Sequence, residues 1–158
     1  MSYLSSSAVI LALFLASQIA VRRPDSARPI VGVPRVIDGD TLQIKNYRIR
    51  LTGIDAPEKN QLCGGKPVGR AVTVWLADLL KDKTVECRKE STDRYGRIIA
   101  LCTLDGEDLS ALIVRSGWAM TYRKYSTKYV PQEDAARTAN LGIWAQNCLP
   151  PWEWRKNH

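Results

Sequence analysis

From the N-terminus, apolar residues first run together without a break, in Ala8-Val9-Ile10-Leu11-Ala12-Leu13-Phe14-Leu15-Ala16, and then thin out to Val21. Arg, Pro and Ser take over across residues 22–34, which read as a linker, so a folded domain is expected from near Arg35. The pattern then shortens to that of strands. Arg35-Val36-Ile37 and Thr41-Leu42-Gln43-Ile44 flank an Asp38-Gly39 turn, and Lys45-Asn46 marks a hairpin. Tyr47, Ile49 and Leu51 alternate with Arg48 and Arg50, which puts both arginines on the face that the apolar residues avoid. Residues 55–67, with two glycines and two prolines, read as loop. From Val68 to Leu80 the apolar positions 68, 71, 72, 75, 76, 79 and 80 follow the period of a helix. Lys83 to Cys87 and Ile98 to Leu104 return to strand, with Asp105-Gly106 a turn after them. Leu109, Leu112 and Ile113 share one face of a short helix that Gly117 stops, Trp118 to Tyr122 reads as a last strand, and Glu133 to Asn140 reads as a helix before Gly142.

Five short strands with one long helix between the third and the fourth describe a small closed barrel decorated by helices, an OB-fold-like α+β domain. Barrels of this kind commonly bind nucleic acid on one face and its loops. The domain is expected over residues 35–148, with a tail over 149–158 whose Pro150-Pro151 opening predicts a non-helical start. No repeat interrupts this reading, and nothing in the pattern calls for an oligomer, so a monomer is expected.

The apolar run within residues 1–21 has the length of a signal-peptide core and is short for a membrane span. It lacks a basic residue before it and a clean A-x-A site after it, and Arg22-Arg23 follow directly. Two readings stay open: a cleaved signal peptide, which makes the protein secreted or periplasmic, or an uncleaved N-terminal anchor, which confines membrane contact to this segment. Four cysteines, Cys63, Cys87, Cys102 and Cys148, form no C-x-x-C pair. In an exported chain they predict two disulfides, and in a cytosolic one four thiols. Cys87 and Cys102 sit on consecutive strands and can face each other; Cys63 and Cys148 would then pair by default and tie the 55–67 loop to the tail, or either stays free.

The net charge is +7, all of it beyond residue 21, and it suits a polyanionic partner as readily as it suits a merely soluble basic surface. The one histidine is the last residue, His158, which excludes a Ser/His/Asp triad and a histidine zinc site. Chemistry is left to carboxylates, Arg, Lys, Tyr and metal-bound water. Three segments supply such groups: Asp38-Gly39-Asp40-Thr41, Arg50-Leu51 through Ile54-Asp55-Ala56-Pro57-Glu58, and Asp93-Arg94-Tyr95-Gly96-Arg97. Asp40 closes a tight turn, and Pro57 biases Ala56 to an extended conformation that presents its carbonyl beside Asp55. Two carboxylates and a carbonyl with room for waters suit Ca²⁺. Arginine forks on a phosphate and a carboxylate that activates water complete the set needed for a metal-assisted attack on a phosphodiester.

These segments, with Gly142-Ile143-Trp144, resemble the staphylococcal nuclease (thermonuclease) family over roughly residues 33–146. The resemblance implies a five-stranded OB-fold β-barrel with about three helices. It implies Ca²⁺ on Asp40, Asp55 and the Ala56 carbonyl, with Asp38 behind them. Glu58 would orient or deprotonate the attacking water, and Arg50 and Arg97 would clamp the phosphate. The reaction would be hydrolysis of DNA and RNA at the 5′ P–O bond, leaving 3′-phosphorylated products. The tyrosine spacing around Tyr122-Arg123-Lys124-Tyr125 is shifted from the family's best-known member. Tyr95, Tyr122 and Tyr125 are candidates to stack on bases, with Lys124 beside the backbone, or are ordinary core and surface aromatics. A non-hydrolysing binding module of the same fold is the alternative. It is expected to have lost one of Asp40, Arg50, Asp55, Glu58 or Arg97, and all five are present.

Overall fold

The structure, a computed structural model, describes residues 28–158. The expectations for residues 1–21 and for most of the linker lie outside the described residues. Its elements are β1 (Ile30–Gly32), β2 (Arg35–Asp38), β3 (Thr41–Ile44), β4 (Tyr47–Leu51), β5 (Ile54–Asp55), α1 (Val68–Leu80), β6 (Val85–Thr92), β7 (Ile98–Leu104), β8 (Glu107–Asp108), α2 (Leu109–Arg115), β9 (Met120–Thr121), α3 (Val130–Thr138), a 3₁₀ turn (Gly142–Gln146) and α4 (Pro151–Trp154). One sheet runs in the order β1-β6-β7-β4-β3-β2, with β8 added on β7, and β5 pairs with β9 in a second ladder. All pairs are antiparallel except β4 with β7. The sheet curls into a half-barrel with the helices around it: the α+β, OB-type fold, with β2, β3 and β4 before α1 and β6 and β7 after it.

The core lies between the concave sheet and α1 and α2. Leu42, Ile44, Ile49 and Leu51 from β3 and β4 meet Val72, Leu76 and Leu80 of α1 and Leu109 and Ile113 of α2, all essentially without solvent exposure. Full burial of each such side chain contributes about 1.5–3 kcal/mol. Alternation in β4 does what its pattern requires: Ile49 and Leu51 go inward and Arg50 turns to the other face. Cys87 and Cys102 are register partners on β6 and β7, and the two disulfides are Cys87–Cys102 and Cys63–Cys148.

Four local readings change. Ile30–Gly32, inside the stretch read as linker, is strand and pairs with Cys87–Val85, because the edge of β6 offers it a ladder. β6 runs on to Thr92, past the expected end at Cys87. Its outer half is exposed and polar, so no apolar alternation marked it, and its hydrogen bonds to β7 hold it. α3 starts at Val130, not Glu133, with Pro131 in its first turn. The tail starts non-helical at Leu149-Pro150, but turns helical at once, since Pro151 opens α4, making a fourth helix. A proline there loses no helical hydrogen bond and its fixed φ suits the turn.

One contact sets the position of the candidate site against the core. A Cβ at Gly69, in the first turn of α1, would lie 1.7 Å from the Glu58 carbonyl oxygen. Only glycine lets the helix back onto the loop that carries Glu58.

Candidate active site

The β2–β3 turn and the β5 strand bring three carboxylates to one arginine. In the turn, Asp38 Oδ1 accepts the Asp40 N–H at 3.2 Å, which aims Asp40 inward. Asp40 Oδ1 accepts the Thr41 hydroxyl at 3.1 Å, and its Oδ2 accepts the Ala56 N–H at 3.0 Å. The β3–β4 register sets Thr41 opposite Arg50. Arg50 therefore reaches Asp40 Oδ1 with Nη1 at 2.5 Å, and Asp55 Oδ1 with Nη2 at 2.8 Å. Its Nη2 also donates to the Ile54 carbonyl at 3.3 Å. Asp55 has no solvent exposure at all, because β5 is paired with β9 over it.

Burial is the largest influence on these groups. It raises Asp38 to about 6, helped by the charge of Asp40. It raises Asp55 too, against the opposing bonds from Arg155 and the charge of Arg50. Burial works to lower Arg50, but the charges of Asp40 and Asp55 more than offset it, so Arg50 stays firmly cationic.

Glu58 follows on the 55–67 loop. Its N–H donates to Gln61 Oε1 at 3.2 Å and its carbonyl accepts the Gln61 N–H at 2.7 Å. Its carboxylate accepts Arg155 Nη1 at 2.7 Å. Arg155 also grips Asp55, Nη2 to Oδ2 at 2.7 Å and Nη1 to Oδ1 at 3.2 Å. Burial tends to lower Arg155, and the bonds from Asp55 and Glu58 outweigh it and raise it. Arg155 was not among the residues singled out in the sequence. The Cys63–Cys148 pairing was the available signal, because it carries the tail to the Glu58 loop.

Arg97 stands apart from this cluster. Its Nε donates to Asp93 Oδ2 at 2.8 Å, while Asp93 Oδ1 accepts the Arg97 and Tyr95 N–H groups at 3.0 and 2.9 Å. Burial pushes the Asp93 carboxyl up, but these bonds prevail and hold it below the usual range. The Tyr95 ring lies against the guanidiniums of Arg94 at 4.8 Å and Arg97 at 5.6 Å.

One cleft of about 880 Å³ joins the two groups. Arg50, Glu58, Arg97, Tyr95, Tyr122, Lys124, Tyr125 and Arg155 all line it. Asp40, Asp55 and Ala56 are buried and connect to it through Arg50. Tyr95 and Tyr125 are 68% and 71% exposed, so each keeps ring surface for a flat partner beside the cations that lie against it. Tyr122 is not equivalent, since Trp152 already stacks on it at 5.5 Å with 8° between the planes.

The donors fit a hard cation. They are all oxygens, and Asp38, Asp40, Asp55 and Glu58 outnumber Arg50 and Arg155. No three acidic, histidine or cysteine side chains form a ready cage among the described residues. Both oxygens of Asp40 and of Asp55 accept from protein donors, and carboxylate oxygens of this kind suit the flexible coordination of calcium better than that of magnesium.

A sequence profile described as staphylococcal nuclease homologue matches residues 48–146. The chain is 39% identical over 131 residues to a protein of Escherichia coli named uncharacterized endonuclease, covering 78% of this chain and 82% of that one. It is 33% identical over 132 residues to a protein of the same description in Haemophilus influenzae, covering 78% and 71%. It is 32% identical over 142 residues to the micrococcal nuclease of Shigella flexneri, covering 78% and 79%.

Proposed function

The chain belongs to the family of staphylococcal nuclease homologues, and on that premise we propose that it is a calcium-dependent nuclease that hydrolyses phosphodiester bonds of DNA and RNA. The observation that carries this reading is the shared cleft, in which Arg50, Glu58 and Arg97 line the same space as two exposed tyrosine rings and Lys124. Asp40, Asp55 and the Ala56 carbonyl would hold the calcium ion, which would supply charge neutralisation at the phosphate. Glu58 takes a proton from the attacking water. The water oxygen forms the new bond to phosphorus as the bond to the 5′ oxygen breaks, and that oxygen leaves as an alcohol after taking a proton from solvent, so the product carries a 3′-phosphate. Arg50 and Arg97 meet the charge that grows on the phosphate oxygens. Arg50 is already fixed by Asp40 and Asp55, so little reorganisation is needed at that moment. Tyr95 and Tyr125 stack on bases, Lys124 neutralises backbone charge, and Tyr122, covered by Trp152, braces Tyr125 edge-on.

The two disulfides support export to an oxidising compartment, with residues 1–21 as the signal or anchor. Among the described residues no helix is long and apolar enough to cross a membrane. The test is a digest of end-labelled single-stranded DNA and RNA with Ca²⁺ and with excess EGTA, with product ends mapped. Cleavage that needs Ca²⁺ and leaves 3′-phosphates is expected. Binding without cleavage in Ca²⁺ would instead assign the chain as a binding module.

A further inference from the structure

Three fastenings hold the C-terminal segment against the cleft. The Cys63–Cys148 disulfide joins it to the Glu58 loop. Gln61 Nε2 donates to the Leu149 carbonyl at 2.9 Å. Trp152 of α4 stacks on Tyr122. The residue after α4 is Arg155, and its fork spans both oxygens of Asp55 and one of Glu58. With Arg50 also on Asp55 Oδ1, each oxygen of that carboxylate accepts from a guanidinium. Arg155 lies nearly 100 residues further along the chain from both partners, so local sequence plays no part in the contact.

Resting on the calcium-nuclease reading above, we propose that Arg155 is a positioning residue that stands in for the divalent cation at Asp55, so that arginine and cation compete for one carboxylate. A buried carboxylate oxygen with no partner is costly, and Arg155 supplies the one partner of Asp55 Oδ2 in the free protein, Oδ1 being shared with Arg50. When a cation binds at Asp55, Arg155 yields it, because two positive charges cannot share the same oxygens at no cost. The disulfide, the Gln61 bond and the Trp152 stack keep Arg155 within the cleft. It then retains Glu58 alone, fixing the carboxylate that faces the water. Affinity for the cation is thereby set by a residue that is not one of its ligands.

The experiment is a calcium titration by calorimetry, without nucleotide, of the disulfide-bonded protein and of Arg155→Ala and Arg155→Lys. Arg155→Ala should bind Ca²⁺ about tenfold more tightly, an ordinary size for coupling between two ligands. Arg155→Lys, with a charge but no fork, should fall between Arg155→Ala and the unaltered protein. A second variant opens the fastening: Cys63→Ser with Cys148→Ser should also tighten Ca²⁺ binding, because Arg155 is then less concentrated at Asp55. Equal or weaker binding by Arg155→Ala overturns the competition while leaving the calcium reading intact. Absence of Ca²⁺ binding by every protein in the series removes both. Binding by Arg155→Ala alone supports the competition in its strongest form.

Discussion

Arg50 is the residue on which most of the charge of the site converges. It touches two carboxylates and a carbonyl and is mostly shielded from solvent. Arg50→Lys keeps the charge but cannot fork across Asp40 and Asp55. We expect nuclease activity to fall by orders of magnitude, whereas Lys124→Ala should weaken nucleic-acid binding and lower its salt slope by about one. Filter binding at several salt concentrations, run beside initial rates, separates the two outcomes. Glu58→Gln is expected to lose ~10²–10⁴ in rate, the usual contribution of a positioned base, with the melting temperature little changed. A folded Glu58→Gln that cleaves as fast as the native protein would remove that role. Asp93 adds a pH signature. Its carboxyl is held below the usual range in the fold, so it stabilises the 93–97 turn above the unfolded value, and that stability is lost as pH falls through the folded one. Acid melts should therefore show a smaller pH dependence in Asp93→Asn.

At the scale of elements, the α1–loop contact is the sharpest test. Gly69→Ala adds a methyl that meets the Glu58 carbonyl, so either the helix or the loop must move. A loss of about 1–3 kcal/mol is expected by denaturant titration, together with lower activity because Glu58 shifts. The start of α2 offers a contrast at a capping residue that does not line the cleft. Asp108 caps α2 through the Ser110 and Ala111 N–H groups and also takes the Tyr129 hydroxyl. Asp108→Ala should cost about 1–2 kcal/mol with kcat preserved. The helical stretch from Val68 to Leu80 was plain from its apolar spacing, because a helix that covers a barrel must present one such stripe. The outer half of β6 was not, because an exposed strand is held by its backbone ladder and has no apolar face to reveal it.

For the whole molecule, the two disulfides act on very different lengths of chain. Cys87–Cys102 spans a sequence separation of 15 and Cys63–Cys148 one of 85. On the chain-entropy model the shorter is worth about 3 kcal/mol and the longer about 4–5 kcal/mol. Non-reducing peptide mapping should recover both linked pairs, and reduction should lower the melting temperature more through the longer one. The sequence by itself determined the fold class, the helix over 68–80 and, apart from Arg155, the chief charged groups and tyrosines that line the cleft. Those features are written in local periods and in residue types whose chemistry does not depend on distant partners. Tertiary structure alone decided that β5 would be sealed by β9, that Trp152 would take one face of Tyr122, and that Arg155 would lie on Asp55 and Glu58. Each is a contact between segments far apart along the chain. Burial and charge pairing in three dimensions select such contacts, and no short window of sequence carries that information.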